Sequence, residues 1–295
     1  MGRRIRLLVN PSAGGGRAAR ALPAVEAALA GHGLEVTTAR TADLDDARRL
    51  ADEAATGGET VVTLSGDGLV GCVAGVLRDR PDAVLGILPG GRGNDFARVL
   101  GIPLDPVAAC DVIATGVERL LDVGDVDGRT FIGIASLGFD SEANRIANEA
   151  PSRLGNLVYA YAAIRALASW RPARFDLELD GESRTFTGYS VAAANSKAYG
   201  GGMFVAPDAE LDDGMLDVVV CTDVPKRRFL RNLPKVFDGS HVHEPEIHVF
   251  RVARLHVDAD RPFVVYADGD PIGELPVEVS IASRALRVLV PAEGA

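Results

Sequence analysis

Three glycine-rich segments, each placed directly after a short apolar run, constrain this chain more than any other feature. They are Ser12-Ala13-Gly14-Gly15-Gly16, Ser65-Gly66-Asp67-Gly68 and Gly90-Gly91-Arg92-Gly93. The runs before them, Arg4 to Val9, Thr60 to Leu64 and Ala83 to Leu88, read as strands, as does Leu34 to Ala39. Between these, Arg17 to Ala30, Ala42 to Ala55 and Leu69 to Arg78 carry helical spacing. Alternation of this kind predicts a parallel sheet with helices on its faces. In such sheets ligands bind beyond the carboxyl ends of the strands, where all three segments fall.

Composition narrows the ligand. The 295 residues, 47% hydrophobic, suffice for two domains with real cores, and the net charge of −10 excludes a general nucleic-acid binder. An anionic ligand must therefore be held locally. The only lysines are Lys197, Lys226 and Lys235, so no lysine stands in the first half to complete a Walker A loop or a protein-kinase N-terminal lobe. Cys72, Cys110 and Cys221 are too scattered for a disulfide framework or a metal clamp, which fits a reducing cytoplasm. The apolar run before Asn10 is too short for a signal peptide, and no stretch of about 20 apolar residues spans a bilayer. Leu154 to Trp170, interrupted by Gly155, Asn156 and Arg165, reads as a buried amphipathic helix.

Beyond about residue 120 the pattern turns β-rich. Arg129 to Ile134, Phe175 to Leu179, Thr185 to Ala194, Leu216 to Cys221, Ile247 to Phe250, Arg254 to Val257, Phe263 to Ala267 and Leu286 to Val290 read as strands, with helices around 140–170 and 225–237. The expected organisation is an α/β nucleotide-binding domain over residues 1–124 and a β-sandwich-like domain over 125–295. No Pro/Ser linker marks the boundary.

Each loop has its chemistry. Free N–H groups where the first strand meets its helix favour phosphate. Gly66 and Gly68 let backbone approach a ligand, and Asp67 between them sets a carboxylate at the same edge, which repels phosphate unless a cation such as Mg²⁺ mediates. Gly66, Gly68 and Gly71 also satisfy a dinucleotide fingerprint, but the following strand ends in Pro89 and glycines where an acid is needed. Asn94 and Asp95 open a helix, as ligand groups or as a simple N-cap. Downstream, Asp212 and Asp213 sit at a loop edge suited to a hard cation or to an ordinary turn, and Asp268-Gly269-Asp270 is a hairpin signal with one aspartate more than a hairpin needs. His241 and His243 lack a third zinc ligand. Lys226, Arg227, Arg228, Arg231 and Lys235, interleaved with apolar residues, read as a solvated basic face or as a membrane-surface contact.

Together, NPSAGGGRA, SGDG in place of GGDGT, LPGGRGNDFARVLGIP, APDAELDDGMLD and the DGD hairpin resemble the diacylglycerol kinase-type lipid kinases of bacteria, a family that includes sphingosine and ceramide kinases. The likeness runs along the whole chain, and NAD kinases share the GGDG loop but not the NDFAR stretch. It implies an NAD kinase/diacylglycerol kinase-like fold whose last strand can return to the first domain. The implied activity is transfer of the γ-phosphate of ATP to a lipid hydroxyl, such as that of diacylglycerol, with Mg²⁺.

By the resemblance, Asn10, Pro11, Ser12, Ala13, Gly14, Thr41, Gly66, Asp67, Gly68, Leu69, Val70, Gly71, Cys72 and Arg92 fall where the family contacts ATP. Glu210 and Met215 through carbonyls, and Asp213 through its side chain, fall where it holds a structural Mg²⁺. Asp67 and Asp95 correspond to its acidic network near catalytic magnesium. Asp268 and Asp270 match the turn that supplies the hydroxyl-activating base. Alternation along an extended segment predicts that one of the two faces the cleft, and the short third-position side chain slightly favours Asp268.

Ser65, Leu69, Gly71, Cys72 and Arg92 depart from the family pattern. The competing readings are therefore a catalytically weak nucleotide- or lipid-binding relative and a kinase of a soluble acceptor such as NAD. The partners implied are ATP and a lipid with a free hydroxyl, with no nucleic acid. A peripheral membrane contact and a homodimer are open to such a chain.

Overall fold

The structure, a computed structural model, describes residues 3–150 and 158–292. Its first part alternates β1 (Arg4–Val9), α1 (Ala13–Gly31), β2 (Glu35–Arg40), α2 (Leu44–Thr56), β3 (Thr60–Ser65), α3 (Asp67–Leu77) and β4 (Val84–Pro89), then the short helices α4 (Asp95–Val99) and α5 (Cys110–Thr115). Strands β4, β3, β1 and β2 lie side by side in that order, all parallel. Every residue of β3 and β4 is buried, as continuous apolar runs in a helix-covered parallel sheet must be. Gly14, Gly15 and Gly16 have φ of +59°, +67° and +83°, so the regular part of α1 begins at Arg17.

The remainder comprises β5 (Val117–Val126), β6 (Arg129–Phe131), β7 (Ile134–Gly138), α6 (Phe139–Glu149), α7 (Val158–Ser169), β8 (Ala173–Leu179), β9 (Glu182–Ala194), β10 (Leu216–Thr222), α8 (Lys226–Asn232), β11 (Ile247–Val252), β12 (Arg254–Ala259), β13 (Val264–Ala267), β14 (Asp270–Glu274) and β15 (Val277–Val290). These strands pair antiparallel around a second core that includes Phe131, Phe175, Leu216 and Val257. The long final strand joins the two halves. β15 runs antiparallel to β5, from Val279 opposite Val126 to Val290 opposite Val117, and its Arg287 and Val288 lie parallel to Val84 and Leu85 of β4. One continuous sheet results.

Two local expectations change. The strand expected over Arg129 to Ile134 is two strands, because the N–H groups of Ile132 and Gly133 turn to the carboxylate of Asp268 instead of a ladder. Of the helix expected over Leu154 to Trp170, residues 154–157 lie outside the described residues. The part that is described, α7, buries Ala162, Ala166 and Leu167 while Ile164 is 63% exposed. No described helix is long and apolar enough to cross a membrane.

Candidate active site

The three glycine loops meet backbone to backbone. A Cβ on Gly14 would stand 2.4 Å from the carbonyl oxygen of Gly90, and one on Gly91 would stand 2.4 Å from Cα of Gly66. Side chains at these positions would push the loops apart, which is the physical reason glycine follows the three adjacent strands β1, β3 and β4. Asn94 locks the third loop, its Oδ1 accepting from Gly91 N–H at 2.9 Å and its Nδ2 donating to Gly91 carbonyl at 3.2 Å.

Four aspartates gather around this junction. Asp67 is the first residue of α3, and its Oδ1 accepts from Phe96 N–H at 3.3 Å. Buried Asp95 accepts from Gly201 N–H at 2.8 Å through Oδ2, whereas its Oδ1 is enclosed without a partner. The second oxygens of Asp67 and Asp95 stand 3.3 and 3.2 Å from where a Cβ on Gly93 would lie, so only glycine leaves that space open. Burial raises the Asp95 carboxyl above its ordinary range, and the charge of Asp67 adds to the effect. Asp67, Asp95, Phe96, Asn144, Tyr199 and Asp268 bound a cavity of about 130 Å³.

The Asp268-Gly269 turn has φ of +52° and +95°, the paired positive values of a tight hairpin turn between β13 and β14. Asp268 therefore leaves the extended strand, and the alternation expected to separate the two aspartates does not apply. Their oxygens lie 3.3 Å (Asp270) and 3.5 Å (Asp268) from the Cβ positions of Gly68 and Gly71 on one face of α3. The two aspartates differ in partners instead. Asp268 accepts N–H bonds from Ile132 at 2.8 Å, Gly133 at 2.9 Å and Ile134 at 3.3 Å. Enclosure pushes its carboxyl up to about 6 despite those donors. Asp270 is exposed as a residue but turns its carboxyl against α3, where partial desolvation raises it; no hydrogen bond reaches it among the described residues.

The other expected ligand contacts divide by exposure. Asn10, Pro11, Ser12 and Ala13 form the turn after β1, where Asn10 Oδ1 accepts from Ser12 N–H at 3.0 Å. Buried Thr41 donates its hydroxyl to Val9 carbonyl. Leu69 and Val70 turn into the core, leaving only backbone for a ligand, while Gly68, Gly71 and Cys72 face a depression of about 740 Å³ beside Arg48 and Asp270. Arg92 is exposed and has no hydrogen-bond or ionic partner among the described residues. Around the expected structural metal, Glu210 is exposed, Asp213 Oδ1 accepts from Met215 N–H at 2.9 Å, and Asp213 Oδ2 pairs with Arg251. A guanidinium thus supplies positive charge at Asp213 in this arrangement, with one partner on each carboxylate oxygen.

Sequence reading passed over three features. Asp122, fully buried, accepts from Gly214 and Arg284 N–H groups at 2.6 Å each and so ties the 214 loop to the bulge in β15. Gly200, Gly201 and Gly202 all have positive φ and carry the donor that reaches Asp95; the glycine run itself was the available signal. A third cavity, about 110 Å³, is apolar and lined by Phe139, Tyr199, Met203, Phe229, Leu233 and Val236, and Tyr199 also borders the acidic cavity.

Asp140 sits in the wall of this apolar cavity, where desolvation pushes its carboxyl up to about 6 against the opposing bond from Ser190. A carboxyl whose folded-state value is raised contributes stability below its unfolded value near 4, and that contribution is lost as pH rises through about 6. Asp140→Asn should thus remove part of the decline in stability between pH 5 and 7.5. Urea midpoints of both proteins at the two pH values check this; parallel declines would refute it.

The paired glycine loops, the acidic junction and the returning final strand define a phosphoryl-transfer site on an α/β platform. Residues 4–126 match the diacylglycerol kinase catalytic domain, and residues 133–290 match the YegS C-terminal NAD kinase beta sandwich-like domain. The chain is 35% identical over 300 residues to a diacylglycerol kinase of Mycobacterium tuberculosis, covering 99% of this chain and 96% of that protein. It is 32% identical over 303 residues to a diacylglycerol kinase of Bacillus subtilis, covering 99% and 98%. A crystal structure of a diacylglycerol kinase from Bacillus anthracis superposes with a TM-score of 0.83 at 23% identity, covering 99% of each chain. The chain belongs to the diacylglycerol kinase family and is a kinase that transfers phosphate to a hydroxyl acceptor.

Proposed function

We propose that this kinase transfers the γ-phosphate of ATP, taken as its Mg²⁺ complex, to the hydroxyl of a lipid such as diacylglycerol. The observation that carries the lipid reading is Tyr199, which borders both the apolar cavity and the acidic cavity. A hydroxyl on an apolar tail can then be held at the carboxylates while its chain is out of water. A soluble acceptor would leave the apolar cavity without a purpose.

No group of three or more metal-ligating side chains occurs among the described residues. Mg²⁺ carried by a nucleotide takes one or two carboxylates and completes its shell with phosphate oxygens and water. Asp67 and Asp95 fit the role, since Asp95 Oδ1 is orphaned and the Gly93 position leaves room between them. When bound, the ion neutralises charge on the transferring phosphate. The chain's own groups do the rest. Glycine-loop amides and the N-terminus of α3 receive phosphate, and Arg92 is free to reach it. Asp270 takes the proton as the acceptor oxygen bonds to phosphorus and the bond from phosphorus to the ADP oxygen breaks. Asp268 positions the turn, because its oxygens are committed to three N–H donors. ATP supply and three free cysteines suit a reducing cytoplasm.

The direct test is labelled γ-phosphate transfer over lipid extracts with Mg²⁺, beside NAD as a soluble acceptor; label in NAD alone would overturn the reading. Arg92→Ala should weaken ATP binding about tenfold or more, because a hydrogen bond to a charged group is worth about 1.5–3 kcal/mol. Calorimetric titration reads the change. Unaltered or tighter binding would show that Arg92 obstructs the site instead of serving it.

A further inference from the structure

One wall of the acidic cavity is neutral, and phosphoryl transfer as derived above makes no use of it. Ser196, just beyond the end of β9, borders the cavity and is 1% exposed, yet its Oγ has no hydrogen-bond partner among the described residues. Asn144 of α6 borders the same cavity, also without a side-chain hydrogen bond among the described residues. A hydroxyl enclosed without a partner opposes folding, so packing alone does not account for a serine here. Any bond this hydroxyl makes is to something that enters the cavity.

The backbone of Ser196 is held firmly although its hydroxyl is not. Its N–H donates to the Gly133 carbonyl at 3.1 Å, and the N–H of Asn195 donates to the same oxygen at 2.9 Å. Nδ2 of Asn195, fully buried, donates to the carbonyls of Asp122 at 3.1 Å and Ile132 at 2.9 Å. Gly133 N–H in turn donates to Asp268 at 2.9 Å. The 132–134 backbone thus fixes both the hairpin aspartate and Ser196. The serine therefore has a set place relative to the carboxylates, which is what a group that orients a substrate needs.

Donor and acceptor chemistry says what that something is. Asp67, Asp95 and Asp268 line the cavity and, when ionised, only accept hydrogen bonds. They can face the proton of an acceptor hydroxyl, but they repel a carbonyl oxygen beside it. Ser196 Oγ and Asn144 Nδ2 are donors on the opposite terms. A plain alcohol has no use for them, whereas an ester next to the hydroxyl brings a carbonyl that has to be met by a donor once it leaves water. We propose that the Ser196 hydroxyl, beside Asn144, binds an ester carbonyl adjacent to the acceptor hydroxyl and so selects acylglycerol-type acceptors over alcohols and ethers that lack the carbonyl. This rests on the lipid-kinase reading and adds a specificity-determining residue to it; Ser196 takes no proton and meets no phosphate.

The experiment measures phosphoryl transfer by the full chain, with ATP and Mg²⁺, to two acceptors in the same detergent micelles. One is dioctanoylglycerol. The other is dioctylglycerol, the diether that keeps the hydroxyl and the chain length but lacks both carbonyls. The parent should favour the diester in kcat/KM by about tenfold, because a site that hydrogen-bonds a substrate group leaves its own polar groups unpaired with the analogue lacking it. Ser196→Ala should lose about 3- to 10-fold on the diester, chiefly in KM, and so erase most of that preference. Its thermal midpoint should be level with the parent's or higher, since an unpartnered hydroxyl has been removed. Ser196→Cys, which keeps the volume but donates weakly, should give the same shift in preference and serves should the alanine variant unfold. No preference for the diester in the parent, an equal loss on both acceptors, or no loss on the diester overturns the role of Ser196 and keeps the kinase reading. Transfer to neither acceptor by the parent overturns the lipid-kinase reading and this inference with it.

Discussion

Asp67→Asn should lower phosphoryl transfer by about 10³-fold or more, with the thermal midpoint unchanged. The substitution keeps an amide oxygen to accept the Phe96 N–H that now bonds to Oδ1, so the start of α3 and the Asn94–Phe96 turn hold their geometry. What disappears is the negative charge between Gly66 and Gly68, which on the proposed function holds a nucleotide-borne cation against phosphate. Phosphoryl transfer depends chiefly on positioning and charge neutralisation, so the loss falls on the rate. The same variant should lose the Mg²⁺ dependence of nucleotide binding, read by titration with and without the metal. Transfer at the parent rate would remove Asp67 from the mechanism.

The second large effect separates the two hairpin aspartates. Asp270→Asn should lose about 10²- to 10⁴-fold in transfer, the usual contribution of a positioned general base, while binding ATP and unfolding as the parent does. Asp268→Asn should do the opposite. An amide presents an NH₂ toward donors now held by a carboxylate, so some of the N–H groups of Ile132, Gly133 and Ile134 lose their acceptor and stability falls. Rates measured at low temperature, where both variants remain folded, should then stay near normal for Asp268→Asn. Full activity in both variants would pass the role to Asp95, which lines the acidic cavity and whose buried Oδ1 has no partner. This assignment reverses the slight preference for Asp268 drawn from side-chain length, because length says nothing about which oxygens are already occupied.

The part of the site built from neighbours in the chain was legible in the sequence. Apolar runs of strand length, helical spacing between them and glycines at the run ends are local properties, and β1 to β4 with their loops follow from them. Asp67 and Asp95 belong to the same loops and were therefore identified with them. The DGD hairpin was recognisable from its turn residues, and the structure makes it one.

Tertiary structure decided what depends on residues far apart. β5, with four charged residues in ten, does not stand out as a strand, and it is one because β15 supplies its ladder from about 160 positions away. Asp268 and Asp270 became different in kind only when the 132–134 backbone arrived to donate to one of them. Asp213, read as a candidate cation ligand, pairs with Arg251 on the neighbouring strand β11, a partner that spacing along the chain does not reveal. The acidic cavity closes only where Gly201 reaches Asp95, and the apolar cavity exists only between α6, α8 and the sheet. Residue type and spacing determine which groups can hydrogen-bond, turn or bury themselves. Which partner each group finds is set by long-range register, and a carboxylate's chemistry follows from that partner.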